Sequence, residues 1–92
     1  MTTNQPPTLE VDLSQGRTPE EHYLWNIQNA ARVILNRPQE QEITLEVYEL
    51  HKTYLRNTGF SEERLRQSDD LLLAELKRLA DQRMQRVAGG VN

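Results

Sequence analysis

SEERLRQSDDLLLAELKRLADQRMQRVA, residues 61–88, is the longest helical pattern in the chain and carries its largest apolar side. Ser61 is placed to cap free backbone N–H groups, and Phe60 before it and Leu65 after it occupy the positions of a hydrophobic staple. Glu62 and Glu63 put negative charge in the first turn, while Lys77, Arg78, Arg83 and Arg86 weight the other end positively, as the helix dipole favours. Gly89 and Gly90 come next as a stop signal. Leu65, Leu72, Leu76 and Leu79 form the core line of this helix, with Leu73, Ala80 and Val87 beside it. Leu71 lies off that line, so the Leu71-Leu72-Leu73 run is apolar nearly all round, and surface of that kind often meets a second chain. Gln67-Ser68-Asp69-Asp70 also reads as an internal cap, which would split off a short helix at 62–67.

Working outward, the segment before this helix is a second helical pattern. Its start is set near Thr44, with Ile43 and Tyr48 in staple positions, although helical spacing reaches back to Gln39. Val47, Leu50 and Tyr54 make its expected main stripe, flanked by Tyr48, His51 and Leu55, and Asn57-Thr58-Gly59 ends it. The first helix opens on Thr18-Pro19-Glu20-Glu21, a capping threonine, a proline at the first helical position and a glutamate three residues after the cap. It should run to about Asn36, because Pro38 disfavours helical geometry at Arg37. Tyr23, Ile27, Ala30 and Ile34 share one line, widened by Leu24, Ala31 and Leu35, a face broad enough for two neighbours. Ala30 and Ala31 would let another helix approach closely. Trp25 points nearly opposite this face, with Val33 on a neighbouring flank. It reads either as an interface anchor or as a ring covered by the chain's own N-terminal arm.

That arm is residues 1–17. Pro6 and Pro7 oppose a helix, and Gly16 breaks the pattern at the far end. Between them Leu9, Val11 and Leu13 alternate with Glu10, Asp12 and Ser14 at the period of a half-buried strand. The arm either lies extended in a groove on its own helices, adds as a strand to another chain, or is a loose tail. The expected organisation is therefore all-α: an extended or flexible arm over 1–17, a helical domain over 18–88 built as a small three-helix bundle or open helical array, and a flexible tail over 89–92. Short connectors favour antiparallel neighbours.

Bulk properties narrow the function. Ninety-two residues allow one small domain. The absence of cysteine removes disulfides, thiolate metal sites and thiol nucleophiles. No apolar run approaches the roughly 20 residues of a membrane span, and the first residues lack the basic start and apolar block of a signal peptide; a cytoplasmic location is the expectation. A net charge of −3 argues against generic binding to nucleic acid. His22 and His51 fall on different helices with no second histidine one turn away, so no metal site is expected. Neither a Gly-x-Ser-x-Gly turn nor a glycine-rich phosphate loop is present. The acidic pairs Glu20-Glu21, Glu62-Glu63 and Asp69-Asp70 all sit at expected helix starts, where the dipole accounts for them. No catalytic residue, metal or cofactor is expected.

The expected function is a non-catalytic protein–protein interaction module: an adaptor, assembly factor or small subunit that presents the long helix and Trp25. Its expected contact residues are Leu9, Val11 and Leu13 of the arm, Trp25 and Val33 of the first helix, and Leu71, Leu73 and Met84 of the third. The partner would be another protein or a second copy, most simply in a homodimer, since the third helix outreaches its neighbours. The alternative is a helical regulator that binds nucleic acid or an enzyme through Arg78, Arg83 and Arg86.

Overall fold

Thr18 begins the first helix as its side chain and position dictate. Its hydroxyl accepts from the Glu21 backbone N–H at 3.2 Å, and the Glu21 carboxylate accepts from the Thr18 N–H at 2.9 Å, a complete capping box ahead of α1 (Pro19–Asn36). The computed structural model describes residues 13–90. After α1, Pro38–Glu40 forms a single 3-10 turn that leads directly into α2 (Gln41–Asn57). The second helix thus starts one turn earlier than the Thr44 expectation, because the 3-10 turn hands its chain straight to the helix. Gly59, with φ +113°, makes the next turn in a conformation that suits glycine. Ser61 then caps α3 (Glu62–Gly90), its Oγ accepting from the Arg64 N–H at 3.1 Å. The backbone of α3 is helical throughout, passing Ser68 without a break and continuing through Gly89 and Gly90.

The architecture is an all-α bundle of three helices running up, down and up. Among the described residues there is no strand. α1 lies between the others and packs against both, whereas α2 and α3 approach each other much less. Ala30 and Ala31, 2% and 0% exposed, sit where α1 is covered on both sides, so their small side chains do allow close approach. Tyr23, Ile27, Tyr48, Leu55, Leu65 and Leu72 complete the core. Phe60 stacks on Tyr23 with ring centroids 5.1 Å apart, and Tyr23 donates its hydroxyl hydrogen to the Arg64 carbonyl at 2.7 Å, closing one end of the bundle. At the other end Arg83 donates to the Leu35 carbonyl at 3.1 Å and to Asn36 Oδ1 at 2.6 Å. A side chain of α3 thereby supplies donors to the C-terminus of α1, which has no basic residue in its own last turn. At 1.5 Å per residue α3 is about 43 Å long against about 27 Å for α1, from their 29 and 18 residues, and it continues past Arg83.

α2 overturns the apolar reading of its sequence. Its buried face is Thr44, Tyr48, His51, Lys52 and Leu55, and the expected stripe residues Val47 and Leu50 are exposed together with Ile43. Tyr54 is half-buried. Ile43 and Tyr48 form no staple, since one faces solvent and the other the core. The reason is that polar groups on the inner face find partners there, while the most apolar residues are left outside. Leu24, expected to widen the face of α1, is likewise exposed.

Candidate functional site

A polar seam runs inside α2, and an apolar surface lies outside it. The seam arises from antiparallel pairing about the Arg37 connector. His22 stands 15 positions before Arg37 and His51 14 after it, while Asn26 and Tyr48 each stand 11 away, so each pair comes level across the hairpin. His22 Nε2 and His51 Nδ1 are 2.7 Å apart and buried. One of these nitrogens carries the hydrogen and the other accepts it, an arrangement that two imidazolium rings cannot keep. Burial, and then the charge of Arg17, hold the His51 pKa below its ordinary value. Asn26 donates to the Tyr48 carbonyl at 3.1 Å.

Farther along, the Tyr48 hydroxyl donates to Asp69 Oδ1 at 2.8 Å, which leaves Ser68 Oγ as the donor to Tyr48. Burial is the main cause that raises the Tyr48 pKa well above the ordinary phenol value, so this hydroxyl stays protonated. Lys52, with only 9% of its side chain exposed, reaches Asp69 at 3.0 Å and Glu49 at 3.3 Å. The Gln67–Asp70 cap signal is thus used inside a continuous helix, with Ser68 and Asp69 facing α2 instead of a backbone start.

Trp25 is half-buried and sits at the edge of this seam. The Arg17 guanidinium lies 3.9 Å from the centre of its ring, and the rings of His51 and His22 are 5.1 and 5.9 Å away. Arg17 gets there through a tight turn over 13–16. Gln15 and Gly16 have φ of +52° and +86°, and Arg17 donates back to the Ser14 carbonyl from both its backbone and its guanidinium. The described end of the arm is therefore a turn where an extended segment was expected, with Leu13 half-buried. Leu9 and Val11 lie outside the described residues.

Outside the seam, Trp25, Asn29 and Val33 succeed one another at four-residue steps along α1. A shallow groove lined by Asn29 and Val33 on one side, and by Ile43, Thr44 and Val47 on the other, runs between α1 and α2. Leu50 extends the α2 edge at the same helical spacing. Ile43, Val47 and Leu50 are 53%, 41% and 54% exposed, although the periodicity of Val47 and Leu50 marks a core stripe and gives no sign of a surface. The structure thus joins Val33 with Val47, which periodicity places inside, while Trp25 lies against Arg17, His22 and His51. Leu71 lies elsewhere, beside Leu24 in the groove between α1 and α3. Leu73 and Met84, 66% and 70% exposed, share a further side of α3.

The charges have a similar division. The segment 38–50 carries Glu40, Glu42, Glu46 and Glu49 without a lysine or arginine. The α1–α3 groove is lined by Arg32, Arg78, Arg83 and Arg86 with Glu75 as its acid. Arg83 is engaged at the end of α1, and Arg78 donates to Glu75 at 2.6 and 3.0 Å, which lowers the Glu75 pKa. Among the described residues no group of three or more acidic or imidazole side chains converges on a metal position, and no helix is long and apolar enough to cross a membrane. Comparison of the chain with protein-family models, with curated proteins and with solved structures finds no match.

Proposed function

We propose that this chain is a non-catalytic protein–protein interaction module, acting as an adaptor, an assembly factor or a small subunit of a larger complex. The observation that carries the reading is the inverted helix α2, whose Ile43, Val47 and Leu50 are about half exposed, the first two in a groove with Val33, while polar side chains fill its inner face. Hiding the exposed half of each of these three side chains would be worth about 1 kcal/mol apiece. An apolar row bordered by charged residues has the composition of a contact patch.

The test is a comparison of wild type with the double variant Val47→Asp, Leu50→Asp as bait in extracts of the native host. The variant should keep the wild-type circular dichroism and lose the retained protein. Retention of the same proteins by both would remove this face from the function.

A further inference from the structure

The two charged apolar surfaces of this chain complement each other, and we propose that the outer face of α2 on one molecule docks in the α1–α3 groove of a second copy. The inference rests on the interaction-module reading and supplies its partner. The donor face presents Ile43, Val47 and Leu50 at steps of four and three residues, the spacing of a helix that packs along a neighbour. Glu42, Glu46 and Glu49 each immediately precede one of these residues, so an unbroken acidic edge runs alongside the apolar one. Of these carboxylates Glu49 is paired with Lys52 at 3.3 Å, and within 38–50 itself there is no basic residue.

The receiving groove has the matching order. Leu24 and Leu71, 49% and 46% exposed, line its apolar stretch, where Arg78 is paired with Glu75, and Arg32 and Arg86 occupy the stretch beyond. Because α1 and α3 run parallel there, leucines and arginines of both helices face one channel. A leucine-lined channel with arginines beyond it suits an acid-edged helix better than a bare phosphate backbone, which offers nothing to cover the leucines. Complementary charge would also set the direction in which the incoming helix lies.

The two surfaces share no residue, and docked head to tail, the face on one neighbour and the groove on another, they make a heterologous contact. Such contacts close into a ring or continue as an open chain, and they do not produce the two-fold dimer that the length of α3 alone suggests. Each molecule uses its α2 face on one neighbour and its groove on the other.

The experiment is sedimentation velocity on the full chain, with two charge-reversing double variants, Glu42→Arg with Glu46→Arg and Arg78→Glu with Arg86→Glu. Circular dichroism first establishes that each variant is folded. Wild type should form species beyond the monomer as concentration rises, and these should diminish as salt rises from roughly 0.05 to 0.5 M. Each variant alone should associate about tenfold more weakly or less. Their equimolar mixture should regain association, since the reversed face of one variant meets the reversed groove of the other. A monomeric wild type at about 1 mM would overturn the second copy as occupant. So would variants that associate like wild type, or a mixture no better than its parts. Binding of duplex DNA that is abolished by the Arg78/Arg86 variant would reassign the groove and overturn the inference as well. The interaction-module reading fails separately: a monomeric wild type that still retains a host protein through Val47 and Leu50 keeps that reading and loses only the second copy.

Discussion

α1 meets its two neighbours through different materials. Toward α3, its Ile27 and Ala31 share an apolar cluster with Leu72, against which Leu76 and Leu79 pack, a contact whose strength comes from area and fit. Toward α2 it offers His22 and Asn26 to His51 and the Tyr48 backbone, a contact made of hydrogen bonds between buried groups. A hydrogen bond contributes only about 1 kcal/mol net, but leaving a buried partner unmatched costs about 1–3 kcal/mol. The first contact should therefore fail by losing volume. The second should fail by losing a partner or gaining a proton.

The largest effect is expected on the apolar side. Leu72→Ala removes a side chain only 5% exposed between α1 and α3 and should cost about 2–5 kcal/mol in urea unfolding, enough to leave so small a domain partly unfolded. A much smaller loss would mean that α3 is held chiefly by its polar contacts to α2. On the polar side, Tyr48→Phe takes the acceptor from Ser68 and a donor from Asp69, and should cost about 1–3 kcal/mol. In that background Ser68→Ala should cost much less than it does alone, and a double-mutant cycle with additive losses would show that the two hydroxyls do not act together.

Acid should separate the two contacts next. The folded-state pKa of His51 is depressed, so the unfolded chain binds the proton more readily. Stability is then full above the ordinary histidine value of 6.5 and declines as pH falls through that value toward the folded one. The urea midpoint should drop from pH 7.5 to about pH 5.5 in wild type and drop less in His51→Asn. Equal declines would place the acid sensitivity elsewhere. The smallest effect belongs to the surface: Leu50→Gln should change stability by no more than about 0.5 kcal/mol, since that side chain is 54% exposed. A larger loss would show that the outer row already contributes to the folded monomer.

The contrast between apolar and polar contacts also decides how much of the molecule is legible in its sequence. The capping box at Thr18, the cap at Ser61 and the leucine line of α3 are local or periodic signals, and each corresponds to an element in its expected place. Periodicity misreads α2 because it weighs apolar residues and is blind to polar groups that satisfy one another across a bundle. Tyr48, His51 and Lys52 face inward only because His22, Ser68 and Asp69 stand opposite. Of the surface, Trp25 is legible as a ring on the wrong side of its helix and Gly16 as a break before it, whereas the cover by Arg17 depends on how the turn at Gln15 and Gly16 folds back, which no periodicity encodes. The near-equal spacing of His22 and His51 from the connector is the one clue to the pair that the sequence holds.

The grip of Arg83 on the end of α1 divides α3 in time as well as in space. Upstream amides are locked by the bundle and should exchange with deuterium only when the whole fold opens. The amides of 84–86, just past this latch, should exchange orders of magnitude sooner, so that a hydrogen-exchange profile along this single rod would step at one arginine.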